Sequence, residues 1–223
     1  MSRSLQFLVR SFTSRRRVLA ITAILLMLFV QSPIVGWIAP GNTFLALLHG
    51  EFVFWGLTAI VLAYVCFVER RPLASIGLRA PTWKTPLYGL VAAVVAVGGA
   101  LVLYAYVFPA FGLRANVEQL GSIQKTPLWF QWMLLLRAPV FEEVFYRGFV
   151  IERLSEIIHV RWVAAFISLG AFTYAHLSYW GWETLITVAF QGAVLTGLYL
   201  WRRDLGANMI AHLLTDAVAF FAF

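Results

Sequence analysis

Hydrophobic residues in this chain run in long blocks, and the polar residues gather between them. Apolar blocks cover Val18–Ile38, Phe44–Val68, Pro86–Phe108, Leu128–Ile151, Trp162–His176, Leu185–Leu200 and Asn208–Phe223. About 20 apolar residues are enough to cross a bilayer as a helix. The pattern therefore predicts an all-α integral membrane protein with about seven transmembrane helices, the fifth and sixth short. The first block is longer than the apolar core of a signal peptide and ends in Pro33, Gly36 and Trp37. It reads as an uncleaved helix with an interfacial Trp. No alternating strand pattern of a membrane barrel is present. One membrane domain over residues 1–223 is expected, with N-terminal helices and connections over 18–126 and a core over 127–223. Gly89, Gly98 and Gly99 are expected to permit close helix contacts, and Pro139 to kink the fourth block. The Trp- and Tyr-rich stretch 177–184 is expected to be a turn.

Composition and charge sharpen this picture. Only 12% of residues are charged and the mean hydropathy is +0.82, whereas soluble domains average about a quarter charged. The net charge of +7 would suit nucleic acid, but its distribution assigns it to the bilayer. Thirteen of the 17 Lys and Arg residues lie in segments 1–17, 69–85, 152–161 and 201–207, on alternate sides of the apolar blocks. That asymmetry predicts a cytoplasmic N-terminus, and no nucleic-acid partner is expected. The compact chain suggests a bacterial cytoplasmic membrane. Cys66 is the single cysteine, which rules out an internal disulfide and reads as packing.

The remaining polar residues inside apolar blocks are the candidates for chemistry, because ionisable groups in hydrocarbon tend to mark working sites. Glu142, Glu143 and Arg147 form one set. Glu143 and Arg147 are four apart and can pair on one helix face, which leaves Glu142, about 100° round the helix, free to react. His176 ends the fifth block. His212 and Asp216 lie four apart in the last, where Asp216 would orient the imidazole. One carboxylate and two imidazoles suit water activation by a glutamate base. The same donors, Glu142, His176 and His212, also suit a divalent metal such as zinc. Around them, His49 and Glu51 read as near-interface residues or as lining a substrate entrance. Arg137 reads as snorkelling or pairing with Glu142 or Glu143, and His159 as a loop residue.

Glu-Glu-Val-Phe-Tyr-Arg at 142–147, Phe-Thr-Tyr-Ala-His at 172–176 and His-Leu-Leu-Thr-Asp at 212–216 resemble, in order and spacing, three motifs of one family. It is the CAAX-protease and bacteriocin-processing (Abi/CPBP) family of intramembrane proteases. The resemblance covers residues 128–223. It implies an intramembrane endopeptidase that hydrolyses a peptide bond in a peptide or lipid-modified protein substrate, with the site among the last four helices. Glu142 would activate water with help from His176. His212 and Asp216 would stabilise the oxyanion or bind a metal, and Glu143 and Arg147 would support them. Asn is frequent in the family where this chain has Asp216; an ionised Asp donates no hydrogen bond, so orienting His212 is the expected role. The family's mechanism is metal-dependent or glutamate-dependent, and both stay open. His-Glu-x-x-His, Gly-x-Ser-Gly and Gly-x-Gly-Asp are all absent, which argues against zincin, serine and aspartyl sites. A proton- or solute-coupled transporter and a non-catalytic bacteriocin-immunity or scaffold protein are the alternatives. The transporter is disfavoured by the lack of an inverted repeat.

The hydrolase reading carries a geometric demand. On straight spans Glu142 would lie near mid-membrane, His176 nearer the outer end and His212 nearer the inner end. At ~1.5 Å rise per residue, such depths differ by as much as tens of ångströms. The short helices and the Pro139 kink must close that gap.

Overall fold

The computed structural model describes residues 43–116 and 118–222, together with Ile21. The block Val18–Ile38 lies outside the described residues. All regular elements among the described residues are helical. Helix α1, Phe44–Val68, and helix α2, Lys84–Ala110, are followed by the short α3, Glu118–Gln124. Helix α4, Leu128–Glu142, runs into a wide-turned π stretch, Glu143–Ile151, and then into α5, Glu152–Ile158. Helices α6, Arg161–Ala175, α7, Leu177–Arg202, and α8, Leu205–Ala222, complete the chain.

Three of these helices, α1, α2 and α7, are long and apolar enough to cross a membrane; Leu205–Phe221 is a shorter apolar helix. With the exposed Phe52, Ile60, Phe67, Val94, Phe166 and Trp182, they describe an integral membrane protein whose apolar side chains face outward into lipid. The span α1 has the bounds the hydrophobic pattern predicts. Its start is fixed by Thr43, whose hydroxyl accepts from the Ala46 amide at 3.2 Å, an N-cap that satisfies one orphan donor.

Several predicted boundaries differ, and the sixth block, expected to be short over Leu185–Leu200, is the 26-residue α7, Leu177–Arg202. The expected turn 177–184 is helical from Leu177, with a single break at Gly181, where φ is +70°. Only glycine adopts that conformation without strain. The last helix begins at Leu205 because Asp204 caps it, accepting from the Ala207 amide at 3.2 Å and from the Thr85 hydroxyl at 2.7 Å. That second bond also ties the start of α2 to the start of α8.

Small residues set how closely the helices approach. Ala92, Ala93, Ala96 and Ala100 of α2 are buried, where α2 packs on α7 and α8. A methyl group on Gly89 would come within 2.9 Å of Ile210 and of the Ala207 carbonyl, and one on Gly99 within 2.1 Å of the Phe190 ring. Among the described residues nothing approaches a Cβ at Gly98, so the close contacts they show are at Gly89 and Gly99. Every residue of the π stretch is buried, around Phe141, Val144, Phe145 and Phe149. A Cβ on Gly148 would lie 2.8 Å from the Ile76 carbonyl, so the Leu73–Ile76 turn packs backbone against backbone on the helix that carries the candidate site.

Candidate active site

Four helices deliver the polar side chains to one place. Glu142 ends α4, Glu143 and Arg147 follow in the π stretch, His176 caps the end of α6, and Asn208, His212 and Asp216 line one face of α8. The expected gap in depth is closed. Glu142 Oε2 lies 3.7 Å from His176 Nε2 and 3.8 Å from His212 Nε2. Helix α6 contributes by being short, its fifteen residues extending only about 22 Å. The π stretch explains part of the rest, since wide turns recur at functional sites and re-aim side chains.

The two adjacent glutamates have opposite surroundings. Glu143 is fully buried and its oxygens are covered by donors. Oε1 accepts from Arg147 at 2.9 Å and from His212 Nδ1 at 2.8 Å, and Oε2 accepts from Asn208 at 3.1 Å. Arg147 also donates to the Gly192 carbonyl at 3.2 Å and lies 4.2 Å over the Phe172 ring. Asn208 also donates to the Leu195 carbonyl at 2.7 Å. Glu143 is thus the anionic hub that ties the π stretch to α7 and α8. Glu142 Oε2, equally secluded, has no hydrogen-bond partner among the described residues.

The imidazoles make this site chemically specific. His176 Nδ1 faces the Phe172 carbonyl at 2.8 Å, an acceptor, so that nitrogen carries the hydrogen. His212 Nδ1 faces the Glu143 carboxylate and carries its hydrogen for the same reason. In their neutral forms both rings present the Nε2 lone pair toward Glu142 Oε2. With both rings neutral, three acceptors would face this space, and the two Nε2 separations from Glu142 Oε2 are too long for direct hydrogen bonds. A buried acceptor left without a donor costs about 1–3 kcal/mol. A water molecule seated between the three would supply the missing hydrogens, and gaps of this length are those a water bridges.

The site differs from the sequence expectation in two contacts. His212 is oriented through Nδ1 by Glu143, not by Asp216; Asp216 Oδ2 instead stands 3.5 Å from Nε2, on the reactive side of the ring. Arg137 pairs bidentately with Glu51 of α1, at 2.9 to 3.2 Å, and only approaches Glu142 Oε1, at 3.7 Å. Asn208 was not singled out by the sequence. The signal was available in its spacing, four residues before His212 and eight before Asp216 on an otherwise apolar helix.

Glu142, His176 and His212 are donors of the kind zinc accepts at about 2.0–2.2 Å. Among the described residues, however, no group of three or more His, Cys, Asp or Glu side chains is arranged to hold a metal ion. The Arg137 guanidinium, a fixed positive charge beside Glu142, opposes a divalent cation there. As arranged, the side chains fit a bridging water better than a resident metal.

Glu142, with its Oε2 secluded, thus faces two imidazoles inside a helical bundle. Residues 124–218 match the family described as Rce1-like, type II CAAX prenyl endopeptidase Rce1-like, in keeping with the family that the three motifs resemble. The matched segment holds every residue of the site except those of α1. No curated protein and no solved structure matches the chain.

Proposed function

We propose that this protein is an intramembrane endopeptidase of the CAAX-prenyl type, acting on a prenylated or otherwise lipid-tethered peptide. The observation that carries the proposal is the orphaned Oε2 of Glu142, buried and 3.7 and 3.8 Å from two imidazole nitrogens. A water bound there gives one proton to Glu142 as it attacks the scissile carbonyl. Oxygen bonds to carbon, and the carbonyl π pair moves to oxygen. His212, facing Glu142, Glu143 and Asp216, is the group best placed to donate from Nε2 to that oxyanion when it is protonated. Collapse of the tetrahedral species expels the amine, which takes the proton held on Glu142. Glu143 and Arg147 hold the frame.

We also assign the basic segments to the cytoplasmic side of a seven-span chain. Three of them are joined by two groups of ion pairs: Arg153 with Glu69 and, together with Arg71, with Glu156; and Arg161 and Arg203 with Glu152. Segments that share salt bridges share a face of the membrane.

Cleavage of a fluorogenic prenyl-peptide by purified protein in lipid tests the proposal. Glu142→Gln should lower kcat by at least about 10³-fold, within the range that positioned acid–base groups supply, in protein that remains folded. Undiminished cleavage by that variant removes the proposal.

A further inference from the structure

Glu51 and Arg137 stand outside the three motifs, and Glu51 stands outside the matched segment altogether. Both are buried, at 3% and 9% exposure. Glu51 engages Nε and Nη2 of the guanidinium together, at distances from 2.9 to 3.2 Å, and the Phe54 ring lies 4.4 Å beneath it. This two-point grip fixes the plane of the guanidinium. The amino group left over, Nη1, faces Glu142 Oε1 at 3.7 Å, near enough to attract and too far to form a hydrogen bond.

That distance matters to the proposed base. An arginine free to approach would close bidentately on Glu142, the strongest arrangement available to the pair, and would turn a reactive carboxylate into a structural one like Glu143. We infer that Glu51 and Arg137 are positioning residues for Glu142. Glu51 holds the guanidinium off the carboxylate, so that Arg137 draws Oε1 to one side and Oε2 is left pointing between His176 and His212. The N-terminal helix α1 thereby completes a site whose reacting groups all come from the C-terminal part of the chain. The catalytic part of this inference rests on the hydrolase reading; the physical link between Glu51 and Glu142 does not.

Two measurements on the full-length protein test it. The first is a stability cycle in detergent with Glu51→Gln, Glu142→Gln and the double variant. If both carboxylates serve Arg137, each can cover it when the other is lost, and removal of both strands a buried charge. The double variant should then lose more in Tm than the two single losses combined; simple additivity overturns the link. The second is steady-state kinetics of Glu51→Gln, with activity counted per folded molecule. The expected result is a kcat loss of about 10–100-fold, the scale of a misplacement near 1 Å, with KM within about twofold because substrate binding is untouched. Glu51→Asp, which keeps the charge, should retain more of kcat than Glu51→Gln, and serves if the latter does not fold. A kcat unchanged by both substitutions, in an enzyme that Glu142→Gln inactivates, overturns the positioning role and leaves the hydrolase reading standing. Cleavage that survives Glu142→Gln overturns the hydrolase reading instead, and the stability cycle then decides the link by itself.

Discussion

Replacing Glu142 and Glu143 one at a time by Gln is a near-identical change of shape at neighbouring positions, yet the two should act in opposite directions. In Glu143→Gln the anion that covers Arg147, Asn208 and His212 Nδ1 becomes a neutral amide with one acceptor oxygen. Arg147 is 1% exposed, and its remaining partners are the Gly192 carbonyl and the Phe172 ring. Breaking a buried ion pair by removing one partner costs about 3–5 kcal/mol. At about 2–4 °C per kcal/mol for a chain of this length, Tm should fall by roughly 6–20 °C. In Glu142→Gln nothing is stranded, because Oε2 has no donor to lose and Arg137 keeps Glu51. The new amide N–H can donate to an imidazole Nε2 that now lacks a donor, a gain of about 1 kcal/mol. Tm should hold or rise slightly while cleavage disappears. Thermal unfolding in detergent, followed by Trp fluorescence beside the cleavage assay, reads both. A Tm loss in Glu142→Gln as large as that in Glu143→Gln would refute the division of labour between the two carboxylates.

Three further substitutions or treatments follow from the same contacts. Asn208→Ala removes a donor to both Glu143 and the Leu195 carbonyl; leaving buried acceptors unmet should cost about 1–3 kcal/mol, read as a lower Tm. Gly148→Ala sets a methyl 2.8 Å from the Ile76 carbonyl and should destabilise by about 1–3 kcal/mol through overpacking, with the Leu73–Ile76 turn becoming more open to limited proteolysis. Cleavage should survive dialysis against a strong chelator, since the donors are not arranged as a metal cage; activity lost on chelation and restored by zinc would reverse that conclusion.

Much of the site was legible because its chemistry is costly in hydrocarbon. Glu142, His176, His212 and Asp216 stand out from apolar surroundings, and their order along the chain carries the family resemblance. Helix bounds were legible where caps or breakers coincide with the apolar edge, as at Thr43. What the pattern could not show are the features set by tertiary approach. The π stretch Glu143–Ile151 has no composition signal; it forms where Gly148 meets the Ile76 backbone and where buried rings fill the widened turns. Helical periodicity pairs Glu143 with Arg147 but says nothing of Asn208 and His212, which reach Glu143 from 65 and 69 residues away. The grip of Glu51 on Arg137, across 86 residues, is likewise invisible to local spacing, so an interface role was the natural expectation for Glu51. Gly98 shows the reverse, a small residue at a plausible position with no close neighbour among the described residues.

The claim on which everything else depends is that Glu142, His176 and His212 share one activated water. An experimental density map that resolves ordered solvent, recorded with an uncleaved prenyl-peptide analogue bound, tests it most directly. The account predicts a single solvent oxygen within hydrogen-bond distance of Glu142 Oε2 and at least one of the two Nε2 atoms, facing the scissile carbonyl. A dry site in which Glu142 closes on Arg137, with the imidazoles turned to separate partners, would contradict it.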